Sequence, residues 1–354
     1  NSAAIVALVC PSMATVRHLH RDAQYRLLGN VTGMRAPVQL DLHLPNFNYP
    51  GVGPEAVFDK LVDIATTAER AGLSSVTLMD HYHQIPPVGP PQNWMFDGST
   101  MLAGIAGRTK SIAVGLLVGG VTYRNPAQHA KITTTLDVIS GGRAVHGIGA
   151  GWFEDEHKAY GFAFPPLKER FERLEDHLRI VRAMFTEEQA TVSGTHHSVD
   201  GAYNNPKPLR GDIPILVGGS GERKTLRMVA QYADGCNLFG DPERARHLLG
   251  VLEGHCERVG RDSSEITKTS MMPLVIAETE EGVRHKLDAM RAAGIPEQRI
   301  ESTTAGTPEQ ILERAHAYRD VGIEGLTFSM PDAHDLEAVA LAGETLAPVF
   351  NPRG

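Results

Sequence analysis

Strand-like and helix-like segments alternate eight times along this chain of 354 residues, and the alternation restricts the possible folds more than any other feature. The strand-like segments are short and mostly apolar, as in parallel strands that are covered on both faces. Between them, apolar residues recur at three- and four-residue steps, which is typical of helices that pack on a sheet. The predicted strands begin at Val38, Ser75, Ile112, Ala144, Ile213, Cys236, Ile266 and Gly325. This α/β pattern favours a (β/α)8 TIM barrel over an open, doubly wound sheet.

A single catalytic barrel domain is predicted over residues 34–354. Two stretches, 161–212 and 277–306, are longer than simple connections and are interpreted as insertions in the barrel. The first insertion includes a hairpin-like segment, Thr191–Pro208, which is rich in Asn, Gly and Pro. Residues 1–33 lack helical or strand periodicity, and we expect a disordered or irregular extension there.

Composition and charge argue against several classes of function. A hydrophobic content of 42% and a charged content of 21% are ordinary for a globular protein. The net charge of −8, without any basic run, argues against a nucleic-acid partner. No apolar stretch approaches the roughly 20 residues that span a bilayer, and the cysteines Cys10, Cys236 and Cys256 show no paired spacing. We therefore expect a cytoplasmic protein that acts on a small molecule away from membranes.

A glycine-rich turn in the segment 212–240 predicts an anion site. The segment has the pattern of a βαβ unit, and Gly218-Gly219-Ser220-Gly221 follows its first strand. Glycine allows close approach of a ligand to the backbone, and the N–H groups that open a helix carry partial positive charge. Arg223 and Lys224 add cationic side chains. The turn is predicted to bind a phosphate, or alternatively to be a tight turn with Ser220 as the helix cap.

The residues that follow the other predicted strands are mostly glycines and aromatic residues, in a fold where chemistry lies at strand carboxyl ends. This composition suits a flat, bulky ligand better than a metal cluster. Gly147, Gly149 and Gly151 alternate, so one face of the fourth strand lacks side chains, which leaves room for a planar ring or merely relieves crowding. Trp152 stands where a Rossmann fingerprint needs its third glycine, so a dinucleotide fold is disfavoured.

Histidines supply the main candidates for chemistry. His81 and His83 follow the second strand and could chelate zinc, but the other strand ends offer no matching ligands, so no metal site is predicted. His81 is instead interpreted as a proton donor or a hydrogen-bond partner of a ring, with a structural loop histidine as the alternative. His157 and Tyr160 share a helix face that is directed either to the pocket or to solvent.

Several runs of residues carry a family resemblance. They are Val121–Lys131, Asp137–Arg143, Gly147–Phe153 with Glu156-His157 and Tyr160-Gly161, Pro214–Gly221, and Tyr232–Asn237. In this order they resemble the bacterial luciferase-like (LLM) superfamily, and most closely its coenzyme F420-dependent oxidoreductase branch, over about residues 38–348.

The resemblance implies a barrel that holds a flavin or 5-deazaflavin at its carboxyl face. It implies a non-proline cis peptide among Leu117, Val118 and Gly119 behind the ring, and His81 beside the ring. We predict that coenzyme F420, or alternatively FMN, contacts Asp80, His81, Val118, Gly119, Ala150, Gly151, His157, Tyr160, Gly218, Gly219, Ser220 and Gly221.

The predicted function is hydride transfer between F420 and an unknown organic substrate, with His81 and Trp152 as the catalytic residues. Sugar-phosphate dehydrogenases of this branch have a glutamate where this chain has Trp152, which argues against a sugar-phosphate substrate. The alternative is a reduced-FMN-dependent monooxygenase, and further alternatives are a metal-dependent barrel hydrolase and a non-catalytic flavin-binding protein. By analogy, a homodimer is a possible assembly.

Overall fold

Eight parallel strands close a barrel in the computed structural model, which describes residues 38–350. Each strand pairs with the next along the chain, and β8 pairs with β1. The strands are β1 (Leu40–Leu44), β2 (Ser75–Leu78), β3 (Ala113–Leu116), β4 (Ala144–Gly149), β5 (Ile215–Gly218), β6 (Gly235–Leu238), β7 (Thr267–Met271) and β8 (Gly325–Phe328). The predicted TIM barrel is confirmed, whereas the prediction for residues 1–33 falls outside the described residues.

Eleven helices lie between residues 38 and 350, and none of them has both the length and the hydropathy to cross a membrane. Local sequence explains their ends: Asn125 caps α3, and Gly141 ends it at a φ of 71°. The helices are α1 (Val57–Arg70), α2 (Gly98–Ala106), α3 (Pro126–Ser140), α4 (Glu154–Tyr160), α5 (Leu167–Thr186), α6 (Thr225–Tyr232), α7 (Pro242–Val259), α8 (Glu280–Ala292), α9 (Glu297–Glu301), α10 (Pro308–Asp320) and α11 (Leu336–Phe350).

Alternation along β1 separates an apolar shell from a polar barrel interior. Leu40, Leu42 and Leu44 join the main apolar core under the helices, whereas Asp41 and His43 take part in buried hydrogen bonds. The Thr77 hydroxyl donates to Asp41 at 2.7 Å and therefore accepts from His43 Nδ1 at 3.0 Å. Burial raises the pKa of Asp41 to about 6 and lowers the pKa of His43 to about 4.

The strand-like run Ile266–Ala277 is not one strand in the structure, because Pro273 separates Thr267–Met271 of the barrel from Leu274–Ile276. Proline has no N–H for the ladder, and Leu274–Ile276 pairs instead with Thr304–Gly306 in a separate two-stranded sheet. That sheet and the helices α8 and α9 have an apolar cluster of their own, formed around Val275, Met290 and Ile300. In the other predicted insertion, α5 lies beside α3 and α6 in the helical shell, and the predicted hairpin is present as an antiparallel pair.

Candidate active site

The backbone after β3 forms a bulge at the carboxyl end of the barrel. The Leu117–Val118 peptide bond is cis, as the family resemblance implied. Gly119 and Gly120 then pair with Ile148 and Gly149 of β4. The bulge therefore adjoins the glycine-rich end of β4.

The bare face of β4 accommodates this bulge. A Cβ at Gly147 would lie 1.8 Å from the Leu116 carbonyl oxygen, and a Cβ at Gly149 would lie 2.9 Å from Val118 Cγ2. A Cβ at Gly218 of β5 would also lie 2.9 Å from Val118. The Val118 side chain thus fills the space between the two strands. The glycines therefore relieve crowding by the bulge, which was one of the two interpretations of the bare strand face.

The turn after β5 has the features of an anion site. Gly219 has a φ of 119°, a conformation that favours glycine. No hydrogen bond among the described residues engages the amides of Ser220 or Gly221. The Ser220 hydroxyl accepts from the Phe239 amide at 2.8 Å and so ties the turn to the end of β6. Since α6 begins only at Thr225 without a side-chain cap, the alternative of Ser220 as its cap is wrong.

A buried carboxylate organises the loop that follows β2. Glu156, on α4, is fully buried and lies 3.0 Å from His81 Nδ1. The Glu156 carboxylate also accepts from the amides of Tyr82 and His83 and from the Tyr123 hydroxyl. Three chain segments therefore converge on one charge, which fixes His81 at the barrel mouth.

The charge on Glu156 determines the tautomer of His81. Burial alone would raise the pKa of Glu156, but hydrogen bonds from His81, Tyr123 and the Tyr82 amide outweigh burial and hold that pKa below its usual value. An ionised carboxylate only accepts hydrogen bonds, so His81 Nδ1 is the donor. His81 Nε2 makes no hydrogen bond to another described residue and is left for a ligand.

The Asp80 side chain is hydrogen-bonded to the bulge and to the loop that follows it. Its buried carboxylate receives two hydrogen bonds from Arg124, at 2.6 and 2.8 Å, and one from the Gly120 amide at 3.0 Å. This bidentate pair joins the end of β2 to the loop after the bulge. The predicted contact between Asp80 and the cofactor stays a prediction, but its side chain is already bound by protein groups.

Aromatic side chains wall the mouth near His81. Trp152 is 57% exposed, stacks on Phe153 at 5.1 Å, and meets the His81 ring edge-on at 5.9 Å. Tyr160 is also exposed, and its hydroxyl donates to the Tyr82 carbonyl at 3.2 Å. Ala150 and Gly151 are half-buried between the end of β4 and Trp152. The exposed indole is thus available to a ligand beside His81.

His157 lies on the buried side of α4. Its Nδ1 donates to the Phe153 carbonyl at 2.7 Å, so Nε2 accepts from the Thr122 hydroxyl at 2.6 Å. The ring is fully buried. With both nitrogens bound by protein groups, His157 anchors the helix and offers a ligand no polar atom.

Sequence reasoning assigned no role to Glu156, Tyr123 or Arg124, although all three shape the site. Glu156 and His81 are 75 residues apart, and no local spacing connects them. The position of Glu156 on the same short helix as His157 and Tyr160, which were expected at the pocket, was the one sequence feature that could have indicated its role.

Comparison with known proteins identifies the family and the fold. Residues 38–301 match the sequence model of luciferase-like monooxygenases. An F420-dependent glucose-6-phosphate dehydrogenase of Microbacterium testaceum is 28% identical over 342 residues, which cover 87% of this chain and 98% of the relative. Two solved structures share the fold. The F420-dependent tetrahydromethanopterin reductase of Methanopyrus kandleri has a TM-score of 0.71 at 18% identity, covering 89% of this chain and 100% of its own. An EDTA monooxygenase of Chelativorans sp. BNC1 has a TM-score of 0.76 at 18% identity, covering 90% and 94%.

Proposed function

This chain belongs to the luciferase-like monooxygenase family, and from this premise we propose that it is an oxidoreductase that uses coenzyme F420 to transfer a hydride to or from an organic substrate. The observation that carries the proposal is the turn after β5. Its two unengaged amides, at Ser220 and Gly221, lie at the carboxyl end of a strand that touches Val118 of the bulge. The F420-dependent relative adds support for the deazaflavin.

The residues of the turn fit a phosphate-bearing cofactor. The amides of Ser220 and Gly221 would donate to phosphate oxygens, and the exposed Arg223 and Lys224 would add positive charge nearby. Val118 and the backbone of the bulge would support the ring. When bound, F420 supplies the carbon that accepts or donates the hydride.

The chain itself handles the proton. When an alcohol is oxidised, its carbon loses a hydride and its hydroxyl loses a proton. We propose that His81 Nε2 accepts that proton, and in the reverse direction returns it. Glu156 holds the ring in the required tautomer and stabilises the imidazolium that forms. Trp152 would wall the substrate pocket beside His81.

The substrate that we propose is an uncharged alcohol or carbonyl compound with an apolar body. Trp152 presents an exposed indole beside His81. Two arginines near this wall are already bound: Arg124 by Asp80 and Asp97, and Arg170 by the Gly151 carbonyl and the Phe164 ring. Such a wall favours apolar contact over recognition of a sugar phosphate.

Cofactor binding tests the first part of the proposal. We expect F420 fluorescence to report binding at micromolar protein concentration, and FMN to bind more weakly in the same titration. Tight FMN binding without any response to F420 would contradict the proposal and favour the reduced-FMN-dependent monooxygenase.

Turnover tests the substrate class. F420 absorbance should fall with secondary alcohols that carry aromatic or alkyl groups, and should stay constant with glucose 6-phosphate. Rapid turnover of glucose 6-phosphate would refute the substrate class while leaving F420 dependence intact. The cytoplasmic location and the homodimer stay predictions, and light scattering after size-exclusion chromatography would measure the assembly.

A further inference from the structure

Three buried histidines meet where two helices of the outer shell pack on a barrel strand. His129 lies on α3, His146 on β4 and His177 on α5, and their exposed fractions are 2%, 1% and 0%. Fully buried imidazoles usually have a hydrogen-bond partner for each ring nitrogen. Three of them in one place therefore call for a physical reason.

Their spacing is close to that of ligands on one metal ion. His146 Nε2 and His177 Nε2 are 3.0 Å apart, and one nitrogen from each of the three residues lies within 4.8 Å of the others. The ring centroids are separated by 4.5, 5.3 and 5.3 Å. Three imidazoles on a tetrahedral zinc ion with Zn–N bonds of about 2.0–2.1 Å would have centroids about 5 Å apart. A modest rotation of the rings would complete that geometry.

Thr133 sets the proton position on His146. The Thr133 hydroxyl donates to the His129 carbonyl at 3.1 Å, so it accepts from His146 Nδ1 at 2.8 Å. His146 Nε2 then carries a lone pair that points at the cluster. A ligand histidine that donates its other nitrogen to a fixed oxygen is the usual arrangement around a protein-bound metal.

The other two rings have nitrogens without partners. The Nδ1 atoms of His129 and His177 are buried and make no hydrogen bond to any described residue. Burial also lowers the pKa values of all three histidines well below the usual range, so the rings are neutral. Neutral imidazole is the form that binds metal ions.

We propose that His129, His146 and His177 bind one divalent transition-metal ion, with zinc as the best match. Three neutral nitrogens without a carboxylate suit zinc and its neighbours in the transition series better than magnesium or calcium. A cavity of about 10 Å³, lined in part by His129, Thr133 and His146, adjoins the cluster and gives the rings room to adjust.

The ion would have a structural role. It would fasten α3 and α5 to the barrel strand β4 behind the bulge. The link to the bulge is short, because a Cβ at Gly119 would lie 2.8 Å from His129 Cε1. The competing arrangement is a metal-free pair in which His177 Nε2–H donates to His146 Nε2, and it gives the third ring, His129, no partner for its buried Nδ1 among the described residues.

Metal analysis of the full chain tests the site. Protein from zinc-supplemented culture should contain about one zinc per chain by inductively coupled plasma mass spectrometry. For metal-stripped protein, free zinc at 100 times Kd should raise Tm by about 4 °C. His146→Asn and His177→Asn should each lose the metal and the Tm shift, and His316→Asn, an exposed residue of α10, should lose neither.

Cobalt(II) supplies a readout that does not depend on the folding of any variant. In the wild-type protein it should give the visible absorption of a tetrahedral nitrogen site. The proposal is overturned if the wild-type protein binds less than about 0.1 equivalent of zinc, cobalt, nickel or copper, even after refolding with the metal. It is also overturned if His146→Asn and His177→Asn keep a full equivalent, because the ion would then lie elsewhere.

Discussion

His81 has one ring nitrogen left for chemistry because Glu156 holds the other. A single buried carboxylate fixes the ring orientation, its tautomer and the loop that bears it. The same dependence on one partner recurs in the barrel interior, where the Thr77 hydroxyl links Asp41 to His43. At the scale of the residue, the site and the barrel interior therefore contain small groups of hydrogen-bonded side chains, and each side chain can be tested by a single substitution.

Replacing Glu156→Gln should lower kcat about 10- to 100-fold while F420 affinity stays nearly constant. The amide keeps the shape but does not stabilise the imidazolium. The loss should appear in kcat and not in the Kd for F420, a split that a general structural defect would not produce. Glu154→Gln, on the exposed side of the same helix, is the matched control. An unchanged kcat in Glu156→Gln would show that the carboxylate does not act through His81.

Asp41 and His43 should make opposite contributions to stability as pH changes. The pKa of His43 falls from 6.5 to about 4 on folding, so its contribution is lost as pH drops through that window. The pKa of Asp41 rises from 3.8 to about 6, so its protonation offsets that loss over nearly the same range. Asp41→Asn should therefore steepen the acid loss of unfolding free energy by about 1.4 kcal/mol per pH unit. Urea titrations at several pH values would measure this slope, with the exposed Asp63→Asn as control.

At the scale of the element, the glycines of β4 leave space for the bulge that follows β3. The bulge brings Leu116 and Val118 so close to β4 that side chains at Gly147 and Gly149 have no space. The strand keeps its ladder because glycine removes only the side chain. The bulge, the end of β4 and the start of the turn after β5 consequently form one packed unit.

Gly147→Ala should destabilise the protein by several kcal/mol, of order 3, because its Cβ would overlap the Leu116 carbonyl oxygen. Gly250→Ala provides the contrast. Its Cβ would meet nothing within 4 Å on the exposed face of α7, and alanine should stabilise that helix by about 0.5–1 kcal/mol. The two substitutions should shift the Tm of thermal unfolding in opposite directions. A Tm of Gly147→Ala that is not lowered would mean that β4 accommodates the methyl group.

Elements were predictable where their signal was local. The observed start of every barrel strand lies within two residues of the predicted start, such as Leu40 against Val38, because helix ends and turn residues precede the strands in the sequence. Thr304–Gly306 was missed because three small residues carry no period. Whether Gly149 leaves room for a ring or relieves crowding depends on the position of Val118, and no pattern within β4 predicts that position.

Over the whole molecule, the closed barrel brings together residues that are far apart in the sequence, and their contacts cannot be predicted from local patterns. The glycine turn and the expected position of His81 followed from the order of strands and from the family resemblance. The hydrogen bond between His81 and Glu156 spans 75 residues, and the three buried histidines come from three elements without a metal-binding spacing. Their meeting is a product of tertiary packing, so only coordinates reveal it.

Binding of F420 should stabilise the barrel as a whole, since the turn after β5 belongs to the closed sheet. At a free concentration 100 times Kd, the expected gain in unfolding free energy is about 2.7 kcal/mol. Arg223→Ala combined with Lys224→Ala should weaken F420 binding about 10-fold, since both exposed cations follow the turn closely in the chain. Lys110→Ala, exposed at another part of the chain, should leave the affinity unchanged. An unaltered Kd in the double variant would remove these side chains from the phosphate site.

The small sheet of Leu274–Ile276 and Thr304–Gly306 has an engineering consequence. Together with α8 and α9 it has its own apolar cluster, and it joins the rest of the chain between β7 and α10. No barrel strand lies within residues 277–303, although Lys286 of α8 forms an ion pair with Asp332 after β8. Variant libraries confined to residues 277–303 would therefore change this module without changing any residue of a barrel strand.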